Sequence, residues 1–466
     1  MHIKFMGAAR TVTGSRHLIH CNGKNILLDC GMFQDKISKK EGKNEHFGFD
    51  PQTIDYVILS HAHIDHSGCL PRLVAQGFSG PVYATPATVD LCRIMLADSA
   101  QIQESDVKYK NRRLLAQGRK PIEPLYTEQD VENLMTLMQP VPYDTIFEIE
   151  QGIFFRFTDA GHIIGSAAVH LKLVENGHPT FLTFTGDIGR YHDLILKEPQ
   201  EFPQADYIIC ESTYGDRLHE EIGDAAIKLL EAVVHTCLEK KGKLIIPAFS
   251  LGRTQEIVYT LDRMRTNGKL PRIPVYVDSP LSVNATDIMR KYSDSFNDDI
   301  HQYMKTDPDP FAFRELSFIR DVEDSKALTN SNEPCIIISA SGMVDAGRVK
   351  HHVKNGITDK RNTILMVGYC APGSLGRQLM DGASEVKIFG EIFPVICDVV
   401  TLHSYSAHAD YKEMLRFLEC QEKPKVKKIF LVHGEYEVQQ HWRETLIKSG
   451  FQTVEIPGHG ERVVVE

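Results

Sequence analysis

Tyr56-Val-Ile-Leu-Ser-His61-Ala-His63-Ile-Asp65-His66-Ser-Gly68 is the stretch that decides how this chain is read. The apolar run 55–60 predicts a buried strand that ends at Ser60. Four potential metal ligands follow within six positions. His61 and His63 are two apart, so an extended backbone points both rings the same way. Asp65 and His66 come after a turn, where the chain can aim them at a second metal beside the first. Imidazole and carboxylate donors suit zinc, with no thiolate required. A chance group of surface polar residues is a poor account of three His and one Asp directly after a buried strand.

Two such pairs do not complete two metal sites, so further ligands are expected at other strand ends. The apolar run 154–158 leads into Ala160-Gly-His162, the run 181–185 into Gly186-Asp187, and the run 428–432 into His433-Gly434. Each is an apolar strand ending in a metal-competent residue beside Gly, and loops at one sheet edge can gather ligands from distant positions. Asp29, in Ile26-Leu-Leu-Asp29-Cys-Gly31, has the same placement. It reads as a carboxylate that holds a ligand imidazole or the nucleophile in orientation, against the plainer reading of a turn-forming Asp.

Around these motifs, 466 residues are too many for one ordinary core, so at least two domains are expected. Short apolar runs alternate with helical patterns for most of the length, which indicates an α/β protein. Further strands are expected at 25–29, 81–84, 205–210, 243–247, 274–277, 335–339, 363–367 and 452–456, and helices at 225–240 and 435–448. Residues 90–138, rich in Glu, Gln, Lys and Arg, read as a helical excursion on the first domain. No apolar run approaches a membrane span, and the start lacks a secretory signal, so a cytoplasmic protein without a membrane partner is expected. The ten cysteines show no CxxC pair or regular spacing and read as reduced, mostly buried thiols. A net charge of −10 argues against a broadly basic nucleic-acid coat but is compatible with a narrow basic channel floored by two divalent cations.

With these residues in place, the sequence resembles the metallo-β-lactamase superfamily. The resemblance implies an αβ/βα sandwich, with one zinc ion held by His61, His63 and His162 and a second by Asp65, His66 and His433. Asp187 and a hydroxide would bridge the two Zn2+ ions. A narrower likeness follows from Cys210-Glu211-Ser-Thr-Tyr-Gly215, Ser406-Ala-His408-Ala-Asp410 and Val432-His433-Gly434, which look like motifs A, B and C of the β-CASP group of RNA-processing nucleases. That group inserts an α/β β-CASP domain into the metallo-β-lactamase domain. The division expected here is 1–205 and 396–466 for the outer domain and 206–395 for the insert. His at motif C is carried by RNA-cleaving members such as the pre-mRNA 3′-end cleavage endonuclease and the J-type ribonucleases, so single-stranded RNA is the expected substrate.

The resemblance then implies a zinc-dependent ribonuclease that uses a metal-bridging hydroxide and leaves a 5′-phosphate and a 3′-hydroxyl. Catalytic roles are expected for Asp65, Asp187, His408, Glu211 and Asp29, with Glu211 orienting His408 or His433. Substrate contacts are expected from His408 and from three loops of the insert: Arg253 at a helix start, Ser339, Ser341 and Gly342 after a buried strand, and Arg377. The plainer reading of His408 is a helix-start residue before 411–418, and that of the loops is solvated Arg and loop-forming Gly and Ser. Rival functions are a thioesterase- or lactonase-type hydrolase, a DNA nuclease and a non-catalytic RNA-binding subunit. The insert, His433 and the filled ligand set argue against them in turn. The chain stops soon after motif C and starts without RNA-binding KH domains, which tilts the expectation towards an endonuclease over a 5′-exonuclease. The oligomeric state is left open, a homodimer included.

Overall fold

The computed structural model describes residues 1–35, 38, 40–219, 222–368, 370, 373–402 and 406–465. It packs as two units, Met1–Leu218 with His408–Glu466, and His219–Ala407. These junctions lie downstream of 205/206 and 395/396. The reason is pairing: Tyr207–Cys210 belongs to a sheet of the first unit, and Asp398–Leu402 closes the sheet of the second.

The first unit holds two seven-stranded sheets. One runs in the order Arg462–Val464, His2–Phe5, His17–Cys21, Lys24–Leu28, Tyr56–Ile58, Val82–Ala84, Met138–Pro140. The other runs Val454–Glu455, Lys428–Leu431, Tyr207–Cys210, His178–Phe184, Ala167–Glu175, Ile153–Asp159, Phe147–Glu150. Alternation decides which side chains meet between them. Ile19 and Cys21 of one sheet, and Ile153, Phe155 and Phe157 of the other, turn inward into a single buried cluster with Phe5, Leu28, Phe184 and Phe430. The outer face of the second sheet, carrying Ile208, Cys210, Ile429 and Leu431, is covered by Met414, Phe417, Trp442 and Leu446 of the helices Tyr411–Leu418 and Tyr436–Lys448. The architecture is an αβ/βα sandwich.

Strand direction places the ligand-bearing loops. Lys24–Leu28 and Tyr56–Ile58 run parallel with Leu28 opposite Ile58, so Asp29 and the segment Ser60–His61 leave the sheet at one edge. His178–Phe184, Tyr207–Cys210 and Lys428–Leu431 are also mutually parallel, with Phe184 opposite Ile209 and Cys210 opposite Leu431. Asp187, Glu211 and His433 therefore emerge together. Ile153–Asp159 is antiparallel to Ala167–Glu175, which is antiparallel to His178–Phe184, so it points the same way and delivers His162 to the same edge.

The excursion is a 31-residue helix, Pro86–Ala116, followed by Glu128–Leu137, which starts in a Thr127/Asp130 capping box. Its last expected residue, Met138, instead begins an edge strand. The expected helix 225–240 is an α-helix over Ile222–Val233 that widens to a π-turn at Val234–Glu239. The second unit is a six-stranded parallel sheet, Leu316–Phe318, Val275–Val277, Cys335–Ser339, Lys243–Pro247, Thr363–Val367, Asp398–Leu402, with helices between its strands. All ten cysteines are unpaired, nine of them buried. Among the described residues no helix is long and apolar enough to cross a membrane.

Phe157 lies at the centre of the sandwich, fully buried and edge-on to Phe155. Phe157→Ala is expected to lower unfolding free energy by about 3–5 kcal/mol, measured by urea titration of metal-loaded protein. A loss under 1 kcal/mol would show that the interface between the sheets can collapse around the gap.

Candidate metal centre

At the shared edge, two groups of donors face each other across Asp187. His61, His63, His162 and Asp187 each offer a donor atom in the first group, and Asp65, His66 and His433 in the second, with atoms of each group within 4.8 Å of one another. His63 Nδ1 lies 3.2 Å from both His61 Nε2 and His162 Nε2. His66 Nε2 lies 3.2 Å from His433 Nε2, which is 3.5 Å from Asp65 Oδ2. Asp187 divides its two oxygens. Oδ2 is 3.4 Å from His61 and 3.6 Å from His162, whereas Oδ1 is 3.3 Å from His66 and 3.7 Å from His433. The carboxylate is 2% exposed, and Oδ1 has no hydrogen-bond partner among the described residues. A buried carboxylate oxygen left in that condition is costly unless a cation satisfies it. The donor set and the orphaned oxygen both fit a pair of metal ions held by these seven residues.

Four of the donors, His61, His63, Asp65 and Asp187, carry the protonation states that ligation needs. Burial pushes His61 well below the usual imidazole range and His63 down to about 4, leaving both rings neutral with lone pairs to offer. Burial would raise Asp65, but its hydrogen bond to His433 and the nearby imidazoles hold it at about 2. Asp187 is likewise driven well down by the surrounding rings in spite of its burial. His66 behaves in the opposite sense, since Asp187 and Asp29 overcome the effect of burial and raise it.

Behind the donors lies a layer of oxygen acceptors and hydroxyls. Asp29 Oδ2 accepts from His66 Nδ1 at 2.6 Å, from Ser60 Oγ at 2.9 Å and from Ser15 Oγ at 3.1 Å, and its Oδ1 accepts from the Ser60 N–H. Ser60 Oγ also meets His61 Nδ1 at 3.1 Å, so one hydroxyl links both ligand groups. Thr213 Oγ1 lies 2.9 Å from His433 Nδ1, whose residue adopts a left-handed backbone, φ +53°. A side chain in that region is strained, and the contacts that hold it include His433 N–H donating to Ala8 and Thr213 Oγ donating to the His433 carbonyl. Gly31 permits the closest approach, because a Cβ there would sit 1.6 Å from the Asp65 carbonyl oxygen. The hydroxyls of Ser15, Ser60 and Thr213 were not assigned a role from sequence; the only signal available was that Ser60 and Thr213 abut ligand motifs.

His408 stands at the rim with a fifth of its side chain exposed. Its Nδ1 is 3.2 Å from Glu211 Oε2 and 3.9 Å from Asp187 Oδ2, and its ring centroid is 4.5 Å from that of His162. Glu211 is fully buried, fixed by N–H groups of Ile188 and Thr213, and it contacts His408 but not His433. Of the two partners expected for Glu211, the structure gives one; Thr213 occupies the other place.

The expected substrate contacts belong to the second unit. Arg253 opens the helix Arg253–Thr266, but its guanidinium is buried and ion-paired with Glu256. Arg377 is exposed on the short helix Leu375–Met380 and pairs with Asp381 at 2.9 Å. Neither side chain is presented as an unpaired cation, because each helix supplies an acid three or four residues on. Ser339 is buried and donates to the Asp278 carbonyl at 2.8 Å, Ser341 Oγ bonds within its own loop to Ala346, and Gly342 packs where a Cβ would strike Phe249 at 2.9 Å. These three shape the loop after Cys335–Ser339.

Comparison with known proteins gives matches along the chain. A family model described as a metallo-β-lactamase superfamily domain matches residues 18–177, one described as a Beta-Casp domain matches 254–379, and one described as a Zn-dependent metallo-hydrolase RNA specificity domain matches 392–457. The chain is 37% identical to Ribonuclease TTHA0252 of Thermus thermophilus over the whole of both proteins. It is 31% identical to an RNase J-like protein of Methanocaldococcus jannaschii, covering 93% of this chain and 92% of that one. It is also 31% identical to the transcription termination factor FttA of the same organism, covering 93% of this chain and 67% of that one. A solved structure of a protein of unknown function from Enterococcus faecalis superposes over the full chain with a TM-score of 0.54 at 13% identity, a likeness of fold.

Asp29→Asn removes the acceptor that holds His66 while leaving the strand pairing intact. Metal affinity is expected to fall about 10–100-fold, read by competition with a chelator; an unchanged affinity would make Asp29 a turn residue only. In metal-free protein, burial disfavours a charged His408, but Glu211 and Asp187 outweigh it and lift the ring to about 9. Its contribution to stability is present below pH 6.5 and is lost as pH rises through about 9. An NMR titration should find that midpoint, with Glu211→Gln moving it down; an unmoved midpoint would exclude Glu211 as its cause.

Proposed function

Because the chain belongs to the β-CASP group of metallo-β-lactamase-fold nucleases and is a metal-dependent ribonuclease, we propose that it works with two zinc ions and cuts RNA internally, in RNA processing or decay. The observation that carries this reading is Asp187, whose two carboxylate oxygens each face two imidazoles of a separate donor group. An RNA-specificity domain match and a ribonuclease-named relative covering the full chain support RNA as the polymer.

In this reading His61, His63, His162 and Asp187 hold one ion, and Asp65, His66, His433 and Asp187 the other. When bound, the pair would lower the pKa of a water molecule and polarise the scissile phosphate. The chain itself supplies the rest. Asp29, through Ser60, orients one ring of each group, and Thr213 orients His433. Glu211 engages Nδ1 of His408, which directs any exchange with substrate to Nε2. A cationic ring there stabilises the extra negative charge of the transition state and can give its proton to the departing 3′ oxygen. That assignment leaves a 5′-phosphate on the downstream fragment. Arg253 and Arg377, both ion-paired, have no part in it.

The test is a denaturing gel of 5′-labelled single-stranded RNA and matching DNA, with metal analysis of each protein. Wild type should bind two zinc ions per chain and make internal RNA fragments. Asp187→Ala should lose most of the metal and more than about 10³-fold in turnover. His408→Ala should keep its metal while turnover falls about 10²–10³-fold. Mononucleotide alone would make the protein an exonuclease, DNA fragments would remove the preference for RNA, and a fully active Asp187→Ala protein would overturn the two-metal reading.

A further inference from the structure

The C-terminal half of the long helix has a role that the core does not explain. Every buried side chain of Pro86–Ala116 lies between Ala87 and Ala100, so nothing from Gln101 to Ala116 is held by burial. Residues 107–122 contain six bases, Lys108, Lys110, Arg112, Arg113, Arg119 and Lys120, and no acid, in a chain whose net charge is −10. All six are exposed, and none enters an ion pair or side-chain hydrogen bond among the described residues. A polar helix that projects from its core is usually steadied by pairs of opposite charge at i,i+4 spacing. Here Glu104 and Asp106 stand four residues before Lys108 and Lys110 without closing an ion pair among the described residues, and Arg112 and Arg113 have no acid at that spacing.

The segment is nevertheless shaped. Asn111 bonds to Ile122 in both directions, side-chain amide to carbonyl and N–H to side-chain oxygen, at 2.8 Å each, and Arg119 N–H donates to the Leu114 carbonyl. These bonds fold the loop back so that Arg119 and Lys120 lie beside the last turns of the helix. At 100° per residue, Lys108, Tyr109, Arg112 and Arg113 share one face of that helix. Tyr109 is 65% exposed, an aromatic ring set among cations. Positive charge that tracks a backbone, with an aromatic side chain on which a base can stack, is the chemistry of single-strand binding.

The root of the helix lies at the metal centre. Thr85 and Thr88 both donate to the Gly165 carbonyl, at 2.6 and 2.8 Å, in the loop that carries His162. Lys108 lies twenty residues beyond Thr88, about 30 Å along the axis at 1.5 Å per residue. At about 3.4 Å per stacked nucleotide that is roughly nine nucleotides. We propose that residues 107–122 form an accessory arm that binds the phosphate backbone of the RNA at a distance from the bond being cut. This rests on the ribonuclease reading above and assigns that enzyme a second contact with its substrate.

The test compares metal-loaded wild type with a K108Q/R112Q/R113Q/R119Q variant on single-stranded RNAs of roughly 6 and 30 nucleotides, lengths short and long against that reach. Thermal unfolding should be unchanged, because none of the four is buried. For the long RNA, KM should rise at least about tenfold, and the slope of log KM against log salt should flatten by about 3, near 0.7 per lost phosphate contact. Cleavage of the short RNA should be unaltered. Wild-type KM and salt slope on the long RNA would overturn the proposal, including the case in which the arm serves an acidic protein surface instead. An equal loss on both RNAs would also overturn it, by placing the effect at the metal centre. If wild type cuts neither RNA, the ribonuclease reading fails, and filter binding of the long RNA to the two proteins still decides the arm.

Discussion

A carboxylate buried among imidazoles is the constraint around which the first unit is organised. Asp187 has almost no exposure, and a lone ion in that position would be expelled or protonated. It is tolerable only because His61, His162, His66 and His433 surround it on two sides and cations can bridge the remainder. Those rings come from loops separated by up to several hundred residues, so the sheets must place their edges before the chemistry exists. The parallel register of Phe184 with Ile209 and of Cys210 with Leu431 does this with backbone hydrogen bonds alone. Side-chain bonds from Asp29, Ser60 and Thr213 then orient the ring planes, a finer adjustment made from positions behind the seven donors.

What could be read in advance follows from that division of labour. Among the candidate donors, His61, His162, Asp187 and His433 were legible because each follows an apolar strand beside a small residue, and His63, Asp65 and His66 because of their spacing behind the first of these strands. The hydroxyls behind them obey none, since Ser15 meets Asp29 only through the fold of the whole edge. Strands such as His2–Phe5, His17–Cys21 and Ala167–Glu175 were not singled out in the sequence, as each carries a charged or imidazole side chain that dilutes its apolar pattern. The two compact units divide the chain further downstream than 205/206 and 395/396 for a related reason. A strand-like run does not say which sheet it will join, and Tyr207–Cys210 joins the first unit while Asp398–Leu402 joins the second.

Arginine direction was the other thing hidden in the sequence. Arg253 and Arg377 sit after Gly-rich loops, where a guanidinium facing an anion is a reasonable expectation, yet each finds an acid one turn along its own helix. The second unit instead concentrates its buried polarity on Asp278, which accepts from Ser325, His352 and Arg348 at 2.5–2.7 Å and whose carbonyl takes the Ser339 hydroxyl. Such a fully satisfied network rigidifies the loops around it. The helical excursion carries a run of exposed cations, whose composition was plain in the sequence but whose lack of ion pairs among the described residues is a property of the folded chain.

The first unit is also discontinuous in the order of its making. Six of its seven donors, through Asp187, precede the 189 residues from His219 to Ala407, while His433 follows them. At about 5–20 residues per second, a ribosome needs on the order of 10–40 seconds to cross that interval. During this time the nascent chain carries one donor group that is whole and one that lacks its third member. The strand Lys428–Leu431, which pairs with Tyr207–Cys210 and later with Val454–Glu455, arrives with the seventh donor at its end. The pairing of that strand with the sheet and the delivery of the seventh donor are therefore one event in synthesis, so the two donor groups are assembled on different timescales.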